Sequence, residues 1–230
     1  MISRMILNDL LNLFYPRLCL LCQTPLVEGE EHICLHCSEH LPYTHFTDTK
    51  ANPVCLLFRE KISFVAATAL LHFQKGGNGQ KLIHSLKYHG NKKLGYELGR
   101  RAAMVYQETG LFDSVDLLLP VPLHPERMRK RGYNQSEWIA RGIQSATGIA
   151  IDTTSLSRIQ KTESQTRKQL FERPENVEDI FRLDNADALK NKHVLLLDDV
   201  ITTGSTLSAC AATLKAIPGI RISLFSIAVA

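Results

Sequence analysis

The run from His193 to Leu207, "HVLLLDDVITTGSTL", restricts the fold more than any other stretch of the chain. Three leucines lead into two adjacent aspartates, then into a short turn of threonine, serine and glycine. Beyond it Leu207, Cys210, Leu214 and Ile217 recur at helical spacing. A strand, a turn and a helix in that order are the unit of a parallel α/β sheet. Such sheets bind ligands at the carboxyl ends of their strands, beside a helix N-terminus. Asp198 and Asp199 read as the first residues past the strand. Adjacent carboxylates are costly to bury unpaired, but two neighbouring hydroxyls, as on a ribose ring, would satisfy them. The amides of Thr203 to Thr206 then form an anion cradle at the helix start, where the helix dipole also favours negative charge. Thr202, Thr203, Ser205 and Thr206 add hydroxyl donors, and Gly204 lets the backbone approach a ligand closely. Carboxylates for sugar hydroxyls followed by a cradle for a phosphate describe a ribose 5-phosphate. A Walker A loop is excluded, because no G-x-x-x-x-G-K-[ST] occurs here.

The rest of the chain alternates in the same way. Residues 63–73, "SFVAATALLHF", read as strand, and "GGNG" at 76–79 punctuates the chain. One helix carries Leu82, Ile83 and Leu86, and the next carries Leu94, Leu98, Ala102 and Val105. "DLLLPVP" is a short buried strand. Ile139, Ile143 and Ala146 mark a helix closed by Gly148, and "RISLFSIAVA" is a terminal strand. With 44% hydrophobic and 22% charged residues among 230, the chain suits one soluble α/β domain and a small extra module. No apolar run approaches the roughly 18 residues of a membrane span. The net charge of +4 falls short of a surface-wide nucleic-acid footprint, so the basic clusters matter more than the total.

Four of the six cysteines, Cys19, Cys22, Cys34 and Cys37, form "CLLC" and "CLHC", eleven residues apart. Two C-x2-C turns close a tetrahedron of thiolates around Zn2+, with rubredoxin-like iron the alternative. All four positions are filled, so the site is structural. A module of about 55 residues is too small to hold itself with a core alone, and such a metal can supply on the order of 10 kcal/mol of folding free energy. Cys210 lies on an apolar helix face, and Cys55 stands alone. The N-terminal apolar stretch is interrupted by Asn8, Asp9 and Asn12 with no small-residue cleavage site after it, so the chain is placed in the cytoplasm, where disulfides are not expected. Residues 1–19 read as an apolar helix with a polar stripe at Arg4, Asn8 and Asn12, buried against the protein or docked on a partner.

"LLLDDVITTGST" resembles the phosphoribosyl-diphosphate (PRPP) signature of type I phosphoribosyltransferases at every required position. The four-cysteine ribbon, "LKYHG", "PVPLHPERMRKRGYNQ", "QTRKQLFERPEN" and this loop follow one another in the chain. In that order they resemble the ComF family, which includes proteins needed for DNA uptake. The resemblance spans residues 19–207; where many members carry a further C-x2-C, this chain has only Cys55, which argues for one metal ion. It implies a type I phosphoribosyltransferase-like parallel sheet flanked by helices, with a small N-terminal zinc ribbon. The division is residues 1–55 for the helix and metal module and 56–230 for the phosphoribosyltransferase-like domain.

The resemblance also implies roles for residues. Asp198 and Asp199 would be catalytic and hold the ribose, while Thr202, Thr203, Gly204, Ser205 and Thr206 hold the 5-phosphate. Arg127, Lys130 and Arg131, with Arg129, would sit in a loop at the diphosphate of PRPP, which Mg2+ accompanies. A second cluster, Arg158, Lys161, Arg167, Lys168 and Arg173, would lie in a loop that closes over the substrate. Lys87, His89, Lys92 and Lys93 form a third. The clusters could equally follow single-stranded DNA, with Tyr88, Tyr133, Trp138 or Phe171 stacking bases. A helicase-like uptake component is the partner that the family suggests. Transfer of phosphoribosyl to an acceptor base and recognition of a DNA sugar-phosphate remain two distinct expectations.

Overall fold

The computed structural model describes residues 15–88, 90–159 and 180–230. The apolar N-terminal segment, His89, Lys161, Arg167, Lys168, Phe171 and Arg173 fall outside them. The strands β1 (Ala67–His72), β2 (Leu117–Pro120), β3 (Ala150–Ile151), β6 (His193–Ile201) and β7 (Arg221–Val229) make one sheet, in the order β1-β7-β6-β2-β3. All four pairings are parallel. A separate antiparallel pair joins β4 (Leu156–Arg158) to β5 (Phe181–Leu183).

The helices are α1 (Leu35–Glu39), α2 (Pro53–Phe58), α3 (Asn78–Tyr88), α4 (Lys92–Tyr106), α5 (Pro125–Arg131), α6 (Gln135–Thr147) and α7 (Ser205–Leu214). Central strands of a parallel sheet are covered on both faces, and β6 shows it. Leu195 and Leu197 pack with Leu86, Leu98 and Ile139 from α3, α4 and α6 on one face. Val194 and Leu196 pack with Phe58, Leu207 and Leu214 from α2 and α7 on the other.

α4 and α6 approach backbone to backbone. A Cβ on Gly99 would lie 2.1 Å from the Ile139 carbonyl, and one on Gly142 would lie 2.1 Å from that of Tyr96. This contact, and an asparagine cap at Asn134, fix the start of α6 beside the sheet. Side-chain caps recur at Asn52 before α2 and Asn91 before α4.

The four-cysteine segment packs into the same core as the α3–α4–α6 layer. Cys19, Ile33, Cys34, Cys37 and Leu41 are buried with Ala66, Leu70 and Leu82. Thr44 seals the join: its amide donates to the Leu70 carbonyl at 3.0 Å and its hydroxyl to that of Ala69 at 2.6 Å. Glu97 on α4 faces His32 at 3.3 Å, and Arg101 hydrogen-bonds Ser38 and Tyr43. No helix among the described residues is long and apolar enough to cross a membrane.

Candidate functional site

β2 and β6 are neighbours in the sheet, but their connections diverge. The chain leaves β2 through α5 and α6 toward β3 on one side, and leaves β6 through α7 toward β7 on the other. Helices that cross in opposite directions leave a crevice between the two strand ends, the usual ligand site of an open parallel sheet. Asp198 and Asp199 lie toward the carboxyl end of β6, at that switch point. β6 runs on to Ile201, so both aspartates belong to the strand and do not follow it, correcting the boundary read from sequence. The ladder to β7 carries the strand past Leu197, pairing Asp198 with Ser226 and Val200 with Ala228.

The two carboxylates have different surroundings. Asp199 is 7% exposed and forms an ion pair with Lys87 of α3 at 3.0 Å. Asp198 accepts a hydrogen bond from the Asp199 amide at 2.8 Å and a longer one from Ser136 Oγ, at the start of α6, at 3.4 Å. Burial, reinforced by the Asp199 charge, pushes the Asp198 carboxyl up to about 7, while Lys87 and Ser136 oppose the shift.

Five residues beyond Asp199, Gly204 is the N-cap of α7 and offers no side-chain cap. Thr202, Thr203 and Ser205 are exposed, Thr206 is half-buried, and Thr203 Oγ1 lies 3.0 Å from Ser205 Oγ. The Ser205 amide makes a long hydrogen bond to Thr203 Oγ1 at 3.4 Å, and the positive end of the helix dipole favours an anion at this start. Gly204 has φ +76°, and a Cβ there would lie 2.7 Å from Phe58 Cε1. The close neighbour that requires glycine is therefore the α2 aromatic ring as well as any ligand. Lys61 Nζ donates to the Thr203 carbonyl at 3.0 Å, pinning the loop from below.

Arg127, Arg129, Lys130 and Arg131 sit on a helix, α5, where a loop had been expected. His124 caps it, Pro125 opens it and Gly132 at φ +73° ends it, three signals that together specify a short helix. Arg127 and Lys130 are exposed. Arg131 donates to Gln135 Oε1 at 2.9 Å and lies 5.7 Å from the Tyr88 ring centre. Arg158 on β4 joins this group. Burial pulls its guanidinium below the ordinary arginine range, and repulsion from Arg127 adds to this, while the Asp198 charge acts against it. Lys87 and Arg158 were read from sequence only as members of charge clusters. Nothing in their spacing revealed that tertiary packing brings them to Asp199 and toward Asp198.

The sulfurs of Cys19, Cys22, Cys34 and Cys37 lie within 4.8 Å of one another. A tetrahedral Zn2+ with bonds of about 2.3 Å needs sulfurs about 3.8 Å apart, and Cys22 and Cys34 are at 3.6 Å. The amides of Cys34 and Cys37 donate to Cys19 Sγ and Cys34 Sγ, both at 3.4 Å, which stabilises thiolate charge. The Thr24 hydroxyl and then its amide lower the Cys22 thiol to about 6. These donors fit a metal ion such as zinc. His32 and His36, close to the quartet in sequence, face Glu97 and His40. Cys55 is buried beside the carbonyls of Thr49 and Ala67, and Cys210 is fully buried on α7.

Fold and site together define a parallel α/β protein with paired acids at its switch point and a four-cysteine module. The chain is 28% identical over 213 residues to the DNA utilization protein YhgH of Salmonella typhimurium, covering 85% of this chain and 89% of that protein. It is 29% identical over 114 residues to competence protein F of Haemophilus influenzae, covering 49% and 50% of the two chains. Competence protein ComFC of Bacillus subtilis matches at 28% over 98 residues, covering 41% and 36%. Among solved structures, adenine phosphoribosyltransferase from Leishmania tarentolae matches with TM-score 0.36 and 13% identity, over 75% of this chain and 72% of that one. No family model matches. The resemblance to the ComF family holds in these relatives.

Proposed function

We propose that this chain binds a 5-phosphoribosyl ligand, PRPP or a sugar-phosphate of like chemistry, between β2 and β6, and that it serves single-stranded DNA handling during DNA uptake. One observation carries the site: paired carboxylates at the switch point are followed, after four residues, by a helix start whose N-cap is a glycine. Asp198 and Asp199 would accept from the ribose hydroxyls, and Thr202, Thr203, Gly204, Ser205 and Thr206 would surround the 5-phosphate. Arg127, Lys130, Arg131 and Arg158 would face the diphosphate or a DNA backbone, with Arg167 and Lys168 completing that set. Mg2+ would arrive with the diphosphate as part of the ligand and draw on the Asp198 and Asp199 oxygens. Residues 1–55 serve as the metal module and 56–230 as the ligand domain. The relatives named for competence and DNA utilization support the cellular role. In this reading the protein would act in the cytoplasm beside a helicase-like partner.

Transfer of phosphoribosyl to an acceptor base is the second reading, favoured by the intact acidic pair. PRPP, Mg2+ and a panel of bases would be incubated with the protein, and pyrophosphate measured. Release with any base establishes transfer; none across a broad panel removes it. Binding of single-stranded DNA that weakens steeply with salt supports DNA handling, and no binding at low salt removes that role.

A further inference from the structure

Four aromatic residues lie near basic clusters, and packing separates them. Tyr133 is 4% exposed and donates to the Leu86 carbonyl. Trp138 is half-buried between Lys92 and Arg141, and Phe171 lies outside the described residues. Tyr88 is 58% exposed. It follows Lys87, whose ammonium holds Asp199 at 3.0 Å, and its ring meets Arg131, which bonds Gln135 next to Ser136, the donor to Asp198. His84, one turn back, packs against the Tyr88 ring at 4.6 Å, and Arg131 brings a cation to 5.7 Å. A large exposed aromatic beside a sugar site offers a base-stacking surface, and Arg131 offers a partner for a neighbouring phosphate.

This inference rests on the phosphoribosyl reading of Asp198, Asp199 and the α7 start. If those acids accept from sugar hydroxyls, the bound unit must keep a free hydroxyl there. In a DNA strand, the 3′ oxygen of a 5′-terminal or internal nucleotide is esterified. It would bring a phosphate charge against Asp198 and Asp199, which like-charge repulsion disfavours. A 3′-terminal nucleotide of DNA, which has no 2′ hydroxyl, instead offers one free hydroxyl to the pair, Asp199 keeping its Lys87 partner, with a phosphate on its 5′ oxygen and a base. We propose that the acidic pair, the α7 start and Tyr88 together take such a terminal nucleoside unit, so that single-stranded DNA is recognised by its 3′ end. A free nucleoside 5′-monophosphate carries the same chemistry and is the other source.

The test uses the full chain and fluorescent oligonucleotides of one sequence. Their ends are a 3′-hydroxyl, a 3′-phosphate, or an abasic 3′-terminal residue with its hydroxyl kept. Salt is raised until backbone contacts no longer dominate. The 3′-hydroxyl strand should bind about tenfold more tightly than either of the others, a difference of about 1.4 kcal/mol. Tyr88→Ala should abolish the preference for a base-bearing end, and Tyr88→Phe should keep it. Competition by a nucleoside 5′-monophosphate at concentrations below those of the strand assigns the site to free nucleotide. PRPP binding to the same protein is measured alongside. Equal affinity for the three ends in a protein that binds PRPP overturns this inference alone. Absence of PRPP binding overturns the reading beneath it as well.

Discussion

Gly204→Ala probes the point where the candidate site meets the core. Two costs add. An alanine at φ +76° sits in the left-handed region, which disfavours a Cβ by about 1–2 kcal/mol. The new Cβ would also lie 2.7 Å from Phe58 Cε1 and 2.9 Å from Cζ. That ring is fully buried and edge-packed on Phe64, with centres 6.5 Å apart, so it has little room to withdraw. Overpacking of this kind costs about 1–3 kcal/mol. The sum is about 2–5 kcal/mol, a large part of the ~5–15 kcal/mol that stabilises a typical domain. Urea unfolding reads it as a midpoint lowered by about 1 M or more. Adding Phe58→Ala should recover the steric share, giving a coupling of about 1–3 kcal/mol in the double-mutant cycle. A Gly204→Ala protein within about 0.5 kcal/mol of wild type, or no coupling, would refute this account of the loop.

Other expectations follow from single features of the structure. The metal module should hold one Zn2+ per chain by elemental analysis, and Cys34→Ser should lose the ion and lower the melting temperature; a metal-free wild type with unchanged stability would contradict this. Lys87→Met strands a carboxylate that is 7% exposed, and it should destabilise the fold by about 1–3 kcal/mol in urea unless Asp199→Asn accompanies it. Asp198 titrates near 7 in the fold and near its ordinary 3.8 when unfolded, so between those values the folded state binds the extra proton. Stability should therefore fall as pH rises from about 4 to 7 through this group. Asp198→Asn should flatten that slope, and an identical pH profile in the variant would count against the raised value.

What was legible in the chain follows from which interactions are local. The α3 and α6 helices and the β2 and β7 strands lie where their apolar patterns place them, while α7 ends at Leu214, short of the Ile217 that its spacing included. The cysteine quartet was equally plain, because two short turns specify it without reference to the rest of the fold. Patterns that depend on neighbours were harder to read. β6 continues through Asp198 and Asp199 because β7 pairs with it, which no local signal reveals. Val105 fits the apolar stripe of α4 yet is 45% exposed, while Tyr106 is buried with its hydroxyl donating to the Ala69 carbonyl at 2.7 Å. The α5 helix was hidden by its charge: none of its residues is buried, so only its caps and Pro125 mark it. The β4–β5 pair is too short for periodicity to show. Lys87 reaches Asp199 only after α3 has docked on the sheet, and such a long-range pair leaves no trace in spacing.

Titration calorimetry of PRPP with Mg2+ into the wild-type protein and into Asp198→Asn/Asp199→Asn tests the central claim most directly. The account predicts saturable binding at one site per chain, weakened at least about tenfold in the double variant, with urea unfolding showing that both proteins are folded. No saturable heat from the wild type, or equal affinity in both, would contradict it.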